Sequence, residues 1–160
     1  MPPSLETLGL AKVLERFYNS IDSENLTVDY EFNPNVKLNE KQQLALYRIC
    51  QELTNNTLKY ANANQIVVKF IASEGQIEFH YSDNGVGFDP KNTSGMGLNN
   101  IESRAQSINA EINFFSNPAS STGIKMVLKN DGKLVVTMIP PKISRVWHGI
   151  RKPWDADQSE

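Results

Sequence analysis

Between Leu26 and Phe32 apolar and polar residues alternate without a break: Leu26, Val28, Tyr30 and Phe32 against Thr27, Asp29 and Glu31. Such alternation marks a half-buried strand with the first set facing inward. The Asn33-Pro34-Asn35 run ends it. Upstream, Leu5, Leu8, Leu14 and Phe17 fall near one helical face and predict a helix over residues 4–20, weakened in its first part by Gly9. Downstream, Asn39 is placed to cap a helix from Glu40 to about Tyr60, whose apolar arc includes Leu46, Ile49, Cys50 and Leu53. Gln65–Ala72 and Gln76–Ser82 flank a turn at residues 73–75 and read as a hairpin. Its second strand turns Ile77, Phe79 and Tyr81 inward and Gln76, Glu78 and His80 outward, so His80 is expected at solvent without a catalytic role. Leu98, Ile101, Ala105 and Ile108 predict a helix from Gly97 to Ile108. Strands at 111–116, 124–129 and 134–139 complete the order, the last two joined by a turn at Asn130-Asp131-Gly132. Helices interleaved with mostly hairpin-connected strands predict an α/β (α+β) two-layer sandwich: one mixed, mostly antiparallel sheet with helices packed on one face.

Composition narrows the classes. At 160 residues the chain suits one domain with a real core, and a formal charge of -2 leaves no electrostatic footprint for nucleic acid or an anionic membrane. The lone Cys50 excludes an internal disulfide and fits a reducing compartment. No secretory signal and no apolar run of the ~18 residues needed to cross a bilayer stand in the sequence. Its character is cytoplasmic, without membrane contact by this segment. Pro140-Pro141 closes the globular part; the tail to Glu160 holds both tryptophans and reads as disordered.

Two features carry chemistry. Along the helix beginning at Glu40, a narrow polar stripe of Arg48, Glu52, Asn56 and Lys59 lines up at spacings of four, four and three. Most such stripes are solvated faces. Here Asn55 and Asn56 are poor helix formers set mid-helix, which marks a local cost accepted for a site. The second feature is the stretch DNGVGFDPKNTSGMGLNNI, from Asp83 to Ile101. Gly85 and Gly87, then Gly95 and Gly97, let backbone N–H groups approach a ligand with no Cβ in the way, and the second pair opens a helix whose first amides favour an anion. Asp83 cannot hold a phosphate, but it can accept from an amino group such as that of adenine. Tight turns alone would use glycine too; a nucleotide is the reading that employs every part.

Taken together, RICQELTNNTLKYA, YSDNGVGF and SGMGLNNIESRA resemble the asparagine box and the two glycine boxes of sensor histidine kinases. The resemblance is to the Bergerat-type ATP-binding domain that these kinases share with gyrase and the ninety-kilodalton heat-shock chaperones. It covers roughly residues 4–139, and the short segment Asp89–Ser94 between the glycine boxes is similar to the short-lid subfamily. It implies ATP and Mg²⁺ as cofactors, with Asn56 as the metal-binding residue, Glu52 orienting groups around the ion and Lys59 facing the phosphates. It implies Asp83 on the adenine amino group, Gly85 and Gly87 shaping the base pocket, and Gly95, Gly97 and Leu98 presenting N–H groups to the phosphates. The family's threonine after its last glycine is displaced here: Thr122 precedes Gly123 and inherits that role weakly.

A phosphoacceptor histidine beside an acidic residue on a helix is missing, because His80 sits in a strand and His148 in the tail. The resemblance therefore implies a catalytic module that phosphorylates a histidine on a separate dimerisation domain, with a response regulator downstream. Residues 1–24 are expected to connect to that dimerisation domain, 25–139 to form the catalytic domain and 140–160 to be the tail. An anti-sigma-type serine kinase and a nucleotide-binding module without phosphotransfer are the competing readings.

Overall fold

The computed structural model describes residues 2–87, 97–116 and 122–129. Two short helices open the chain, α1 (Pro3–Leu8) and α2 (Leu10–Ile21), where the apolar spacing predicts one. Gly9 separates them at φ 81°, a left-handed conformation that glycine reaches cheaply. The amide of Leu10 donates to Gln43 Oε1 at 3.0 Å, so a side chain of the next helix replaces the helical acceptor that the break removes. Leu10, Val13, Leu14 and Tyr18 are buried and belong to the core.

Strand β1 (Thr27–Phe32) follows the period-two pattern, and helix α3 (Glu40–Asn56) begins at the expected cap. Asn39 Oδ1 accepts from the Gln42 amide at 2.8 Å, while Gln42 Oε1 accepts from the Asn39 amide at 3.0 Å. This reciprocal pair satisfies two of the helix's orphan donors. The helix does not run as an α-helix to Tyr60. Beyond Asn56 it widens into a π-helical turn, Thr57–Ala61, ended by Asn62 in the left-handed region. Strands β2 (Gln65–Ser73) and β3 (Gln76–Asp83) form the hairpin; helix α4 (Leu98–Ser107), strand β4 (Glu111–Ser116) and strand β5 (Thr122–Lys129) follow. The expected strand at 134–139 and the tail lie outside the described residues.

The described strands make one sheet in the order β1-β2-β3-β5-β4. Only β1 and β2 pair in parallel, so the sheet is mixed and mostly antiparallel. Ile66, Val68 and Phe70 of β2, Ile77, Phe79 and Tyr81 of β3, and Ile124, Met126 and Leu128 of β5 share one core with Leu46, Ile49 and Leu53 of α3. Phe32, Phe70 and Phe79 stack across adjacent strands at centroid distances of 4.7 and 4.8 Å.

The other face of the sheet corrects an expectation. His80, placed at solvent by alternation, is 3% exposed, and Val67 and Lys69 beside it are also buried. The signal was in β2, where IVVKFIA is a nearly continuous apolar run, the mark of a strand buried on both faces. Burying Lys69 requires partners, and its ammonium lies 2.8 Å from Asp29 and 3.1 Å from Glu31 on β1. Glu78 likewise meets His80 at 3.0 Å and Lys125 at 3.5 Å. The His80 hydrogen bond, ahead of the pull of Lys125, holds the Glu78 carboxyl below its ordinary range despite partial burial.

Two outcomes follow from this packing. Leu46→Ala, at a fully buried position on α3, should lower unfolding free energy by about 2–5 kcal/mol in urea titrations. Because the Glu78 carboxyl is depressed in the folded state, its contribution is present above the unfolded carboxylate range and lost as pH falls through the folded value. Stability measured from neutral pH downward should therefore drop on the acid side more in the unmodified chain than in Glu78→Gln.

Candidate functional site

Asp83 is the last residue of β3, the central strand, and is 5% exposed. Its backbone pairs with Ile66 on one side and Thr122 on the other. A buried carboxylate needs hydrogen bonds on both oxygens or it is costly. Oδ1 accepts from the Gly85 amide at 2.9 Å, closing a turn over the next two residues, and Oδ2 accepts from Thr57 Oγ1 at 2.8 Å. Thr57 is the first residue of the π-helical turn, directly after Asn56.

The loop after β3 is clamped to the far end of the same turn. The Val86 amide donates to the Ala61 carbonyl at 2.8 Å. Asn84 Oδ1 accepts from the amides of Asn64 and Gln65, each at 3.0 Å. Gly85 is held so close that a Cβ there would stand 2.3 Å from the Ala61 carbonyl oxygen, a backbone atom that cannot swing aside. Glycine is thus required at this position by contact rather than by its torsion angles. A π-helical turn, rare elsewhere and frequent at functional sites, is what aims Thr57 and Ala61 at this loop.

Between these elements opens a cleft of about 370 Å³. Helix α3 and the turn contribute Leu53, Asn56, Thr57, Tyr60 and Ala61; the sheet, loop and α4 contribute Tyr81, Asp83, Gly87, Leu98 and Phe114. Of the residues singled out in the sequence, Asn56, Asp83, Gly87 and Leu98 line one cavity. Gly85 stands behind Asp83 as its hydrogen-bond donor. Glu52 is half-buried one turn before Asn56, and its carboxylate lies directly over Gly97, where a Cβ would meet Oε1. Gly97 caps α4 at φ 69°, where glycine is favoured. Lys59, expected in line with Asn56, is exposed on the π-helical turn. Gly95 and the segment Asp89–Ser94 lie outside the described residues, as does the side chain of Thr122.

Sequence reasoning passed over Thr57, Tyr60, Tyr81 and Phe114. Thr57 was detectable as a hydroxyl continuing the apolar arc one turn after Leu53, and Tyr81 as the residue two before Asp83 and so on the same face. Burial holds the Tyr81 hydroxyl well above the usual tyrosine range, and it pushes the Cys50 thiol behind the cleft up to about 12. Among the described residues no group of three His, Cys, Asp or Glu side chains could hold a metal ion.

Gly85→Ala should lower unfolding free energy by about 1–3 kcal/mol, the cost of overpacking against backbone, in urea titrations. Cys50 should resist alkylation by iodoacetamide at pH 8 in the folded chain and react at the rate of a free thiol once unfolded. A native rate near the unfolded one would contradict its burial.

Residues 41–132 match the family model described as histidine kinase-, DNA gyrase B-, and HSP90-like ATPase. The chain is 32% identical over 120 residues to the sensor histidine kinase ComP of Bacillus subtilis (strain 168), covering 69% of this chain and 15% of that protein. It is 32% identical over 121 residues to the oxygen sensor histidine kinase NreB of Staphylococcus carnosus (strain TM300), covering 72% and 35% respectively. The chain thus spans only a minor part of either relative. Among solved structures, the histidine kinase domain of the Erythrobacter litoralis EL346 blue-light activated histidine kinase superposes with a TM-score of 0.62 at 18% identity, over 76% of this chain and 61% of that one. The histidine kinase domain of the E. coli osmosensor EnvZ gives 0.58 at 16%, over 78% and 88%. Both share the fold.

Proposed function

The chain belongs to the histidine kinase-, DNA gyrase B-, and HSP90-like ATPases, and on that premise we propose that it is the ATP-binding catalytic module of a two-component sensor histidine kinase. Its substrate would be a histidine on a separate dimerisation domain, and its product would pass to a response regulator. Residues 1–24 would connect to that domain, 25–139 would catalyse, and 140–160 would be a tail. No described helix is long and apolar enough to cross a membrane; the module would work in the cytoplasm.

The observation that carries this reading is the convergence of Asn56, Asp83, Gly87 and Leu98, from separate parts of the chain, on one cleft. Asp83 would accept from the adenine amino group. Guanine presents a carbonyl there, and two acceptors facing each other in a dry site discriminate strongly. Gly87 would shape the base pocket. The first amides of α4, at Gly97 and Leu98 and preceded by Gly95, would meet phosphate oxygens. Thr122, paired through its backbone with Asp83, would stand near the base.

Mg²⁺ fits the donor set. It demands few protein ligands, keeps several waters and binds through phosphates, and the site offers the single amide oxygen of Asn56 with Glu52 one turn away to orient its surroundings. When bound it would neutralise charge on the transferred phosphoryl group. Lys59, exposed on the π-helical turn, would add a second positive charge toward the phosphates. Phosphoryl transfer asks the protein mainly for positioning and charge, and this chain's residues would supply both.

Calorimetry should show Mg-ATP and ADP binding with GTP much weaker; Asp83→Asn should remove the preference for adenine. Asn56→Ala should lose the Mg²⁺ dependence of ATP binding while keeping its circular dichroism spectrum. Mixed with γ-labelled ATP and a histidine-bearing dimerisation domain, the chain should yield acid-labile label on that domain. Label on a serine-bearing partner, or binding without transfer, would replace this reading with that of a serine kinase or a binding module.

A further inference from the structure

Helices α1–α4 all contribute side chains to the core that holds Ile66, Val68 and Phe70 of β2. Strand residues of the opposite parity point to the other face of the sheet. Register sets them in rows there: Glu31, Lys69, His80 and Lys125 make one, and Ile71, Glu78 and Val127 the next. On an uncovered sheet these positions would be wet. Instead Val67 is 4% exposed and Lys69 1%, and Ile71, His80 and Ser82 are buried too. Val67 and Ile71 are nevertheless no part of the core that the helices share. Ion pairs with Asp29 and Glu31 neutralise Lys69, but a strand is buried on both faces only when a second layer covers it. Exposure returns toward the rims, at Glu31 on β1 and at Glu111 and Asn113 on β4, so the cover lies over β2 and β3.

The chain beyond β5 is placed to supply that layer. Lys129 pairs with Gln76 at the hairpin end of the sheet, next to the row of Ile71. The apolar run LVVTMI at 134–139 follows a turn that would fold it back beside β5, yet β3 and β4 already occupy both sides of β5. Its side chains must be buried elsewhere. Beyond Pro141, Ile143, Val146, Trp147 and Ile150 fall at i, i+3, i+4 and i+7, the spacing of one helical face. As a helix, residues 142–152 would span about 16 Å, enough to cross from β5 to β1 at ~4.8 Å per strand. Charge agrees as well. Asp29, Glu31, Glu78 and Glu111 outnumber Lys69 and Lys125 on the sheet, whereas Lys142, Arg145, Arg151 and Lys152 are all basic. The shorter stretches 88–96 and 117–121 start and finish near Asp83 and Thr122, at the opposite end from Ile71.

We propose that residues 133–154 of this chain dock on the second face of the sheet, over β2 and β3. Their apolar positions meet Val67 and Ile71, and their basic ones meet the acidic rim of Asp29, Glu31 and Glu111. This docking lies on the face away from the cleft and stands whether or not the cleft takes a nucleotide.

Trp147 and Trp154 are the two tryptophans of the chain, so intrinsic fluorescence reads this segment alone. In the folded chain the emission should lie to the blue of the urea-unfolded chain and resist iodide quenching several-fold, equally in dilute and concentrated solution. Val67→Glu should move the emission to the red and restore quenching while unfolding stays cooperative. If that variant does not fold, Ile150→Asp, outside the sheet, decides: modification of His80 by diethyl pyrocarbonate, read on its own peptide by mass spectrometry, should rise several-fold. Unfolded-like emission from the folded chain would overturn the docking. Protection that vanishes on dilution would give the face to a second copy and overturn it as well. So would emission unchanged in folded Val67→Glu, or His80 no more reactive in Ile150→Asp, because the segment would then pack elsewhere.

Discussion

A carboxylate at the end of a central strand, 5% exposed, is the constraint on which the rest of this site depends. Left unsatisfied, such a group would cost more than a typical hydrogen bond contributes. Among its donors are the Gly85 amide and the Thr57 hydroxyl. Each donor in turn imposes a condition. Gly85 reaches Asp83 only by pressing against the Ala61 carbonyl, which excludes any side chain at that position. Thr57 reaches it only because α3 gives way to a π-helical turn at that point. The glycine and the widened turn are consequences of one buried charge.

Both sides of the sheet bear on how rigidly that charge is held. On the helix side, Tyr81 and Phe79 pack into the same core as α3 and α2. On the other side, Lys69 and His80 are buried as well, and Lys69 is neutralised by two carboxylates of β1. A strand packed on both faces has little freedom to slide, because a one-residue slip would exchange every side chain between faces. Asp83 therefore emerges at a set height above the cleft, opposite Thr122 and Ile66.

Much of this was legible in the residue pattern, for a common reason: it rests on local periodicity and local capping. The strand at 27–32, the Asn39 cap, the hairpin and helix α4 all appear within a residue or two of where their spacing puts them. What escaped depends on partners distant in sequence. The break at Gly9 is stabilised by Gln43 across 33 residues. The burial of His80 follows from a second packed face that its own alternation does not encode. At the site, Asn56, Asp83, Gly87 and Leu98 were found through their motifs, and the cleft unites them. Thr57 and Tyr81 were missed because each fits an ordinary core pattern when read alone, and only their meeting across 24 residues reveals a polar function.

That meeting also explains why hydroxyls stand where aliphatic side chains would pack. Threonine at 54 and 57 and tyrosine at 18 and 81 bury polar atoms in a core otherwise built of leucine, isoleucine and phenylalanine. Replacing a satisfied buried polar pair by apolar groups of the same shape is often neutral or better for stability. Stability alone therefore gives no reason for hydroxyls at these positions. Thr57 does what an aliphatic side chain cannot: it donates to the buried Asp83 carboxylate, with Tyr81 Oη beside it. The hydroxyls of Tyr18 and Thr54 meet as a second, separate pair.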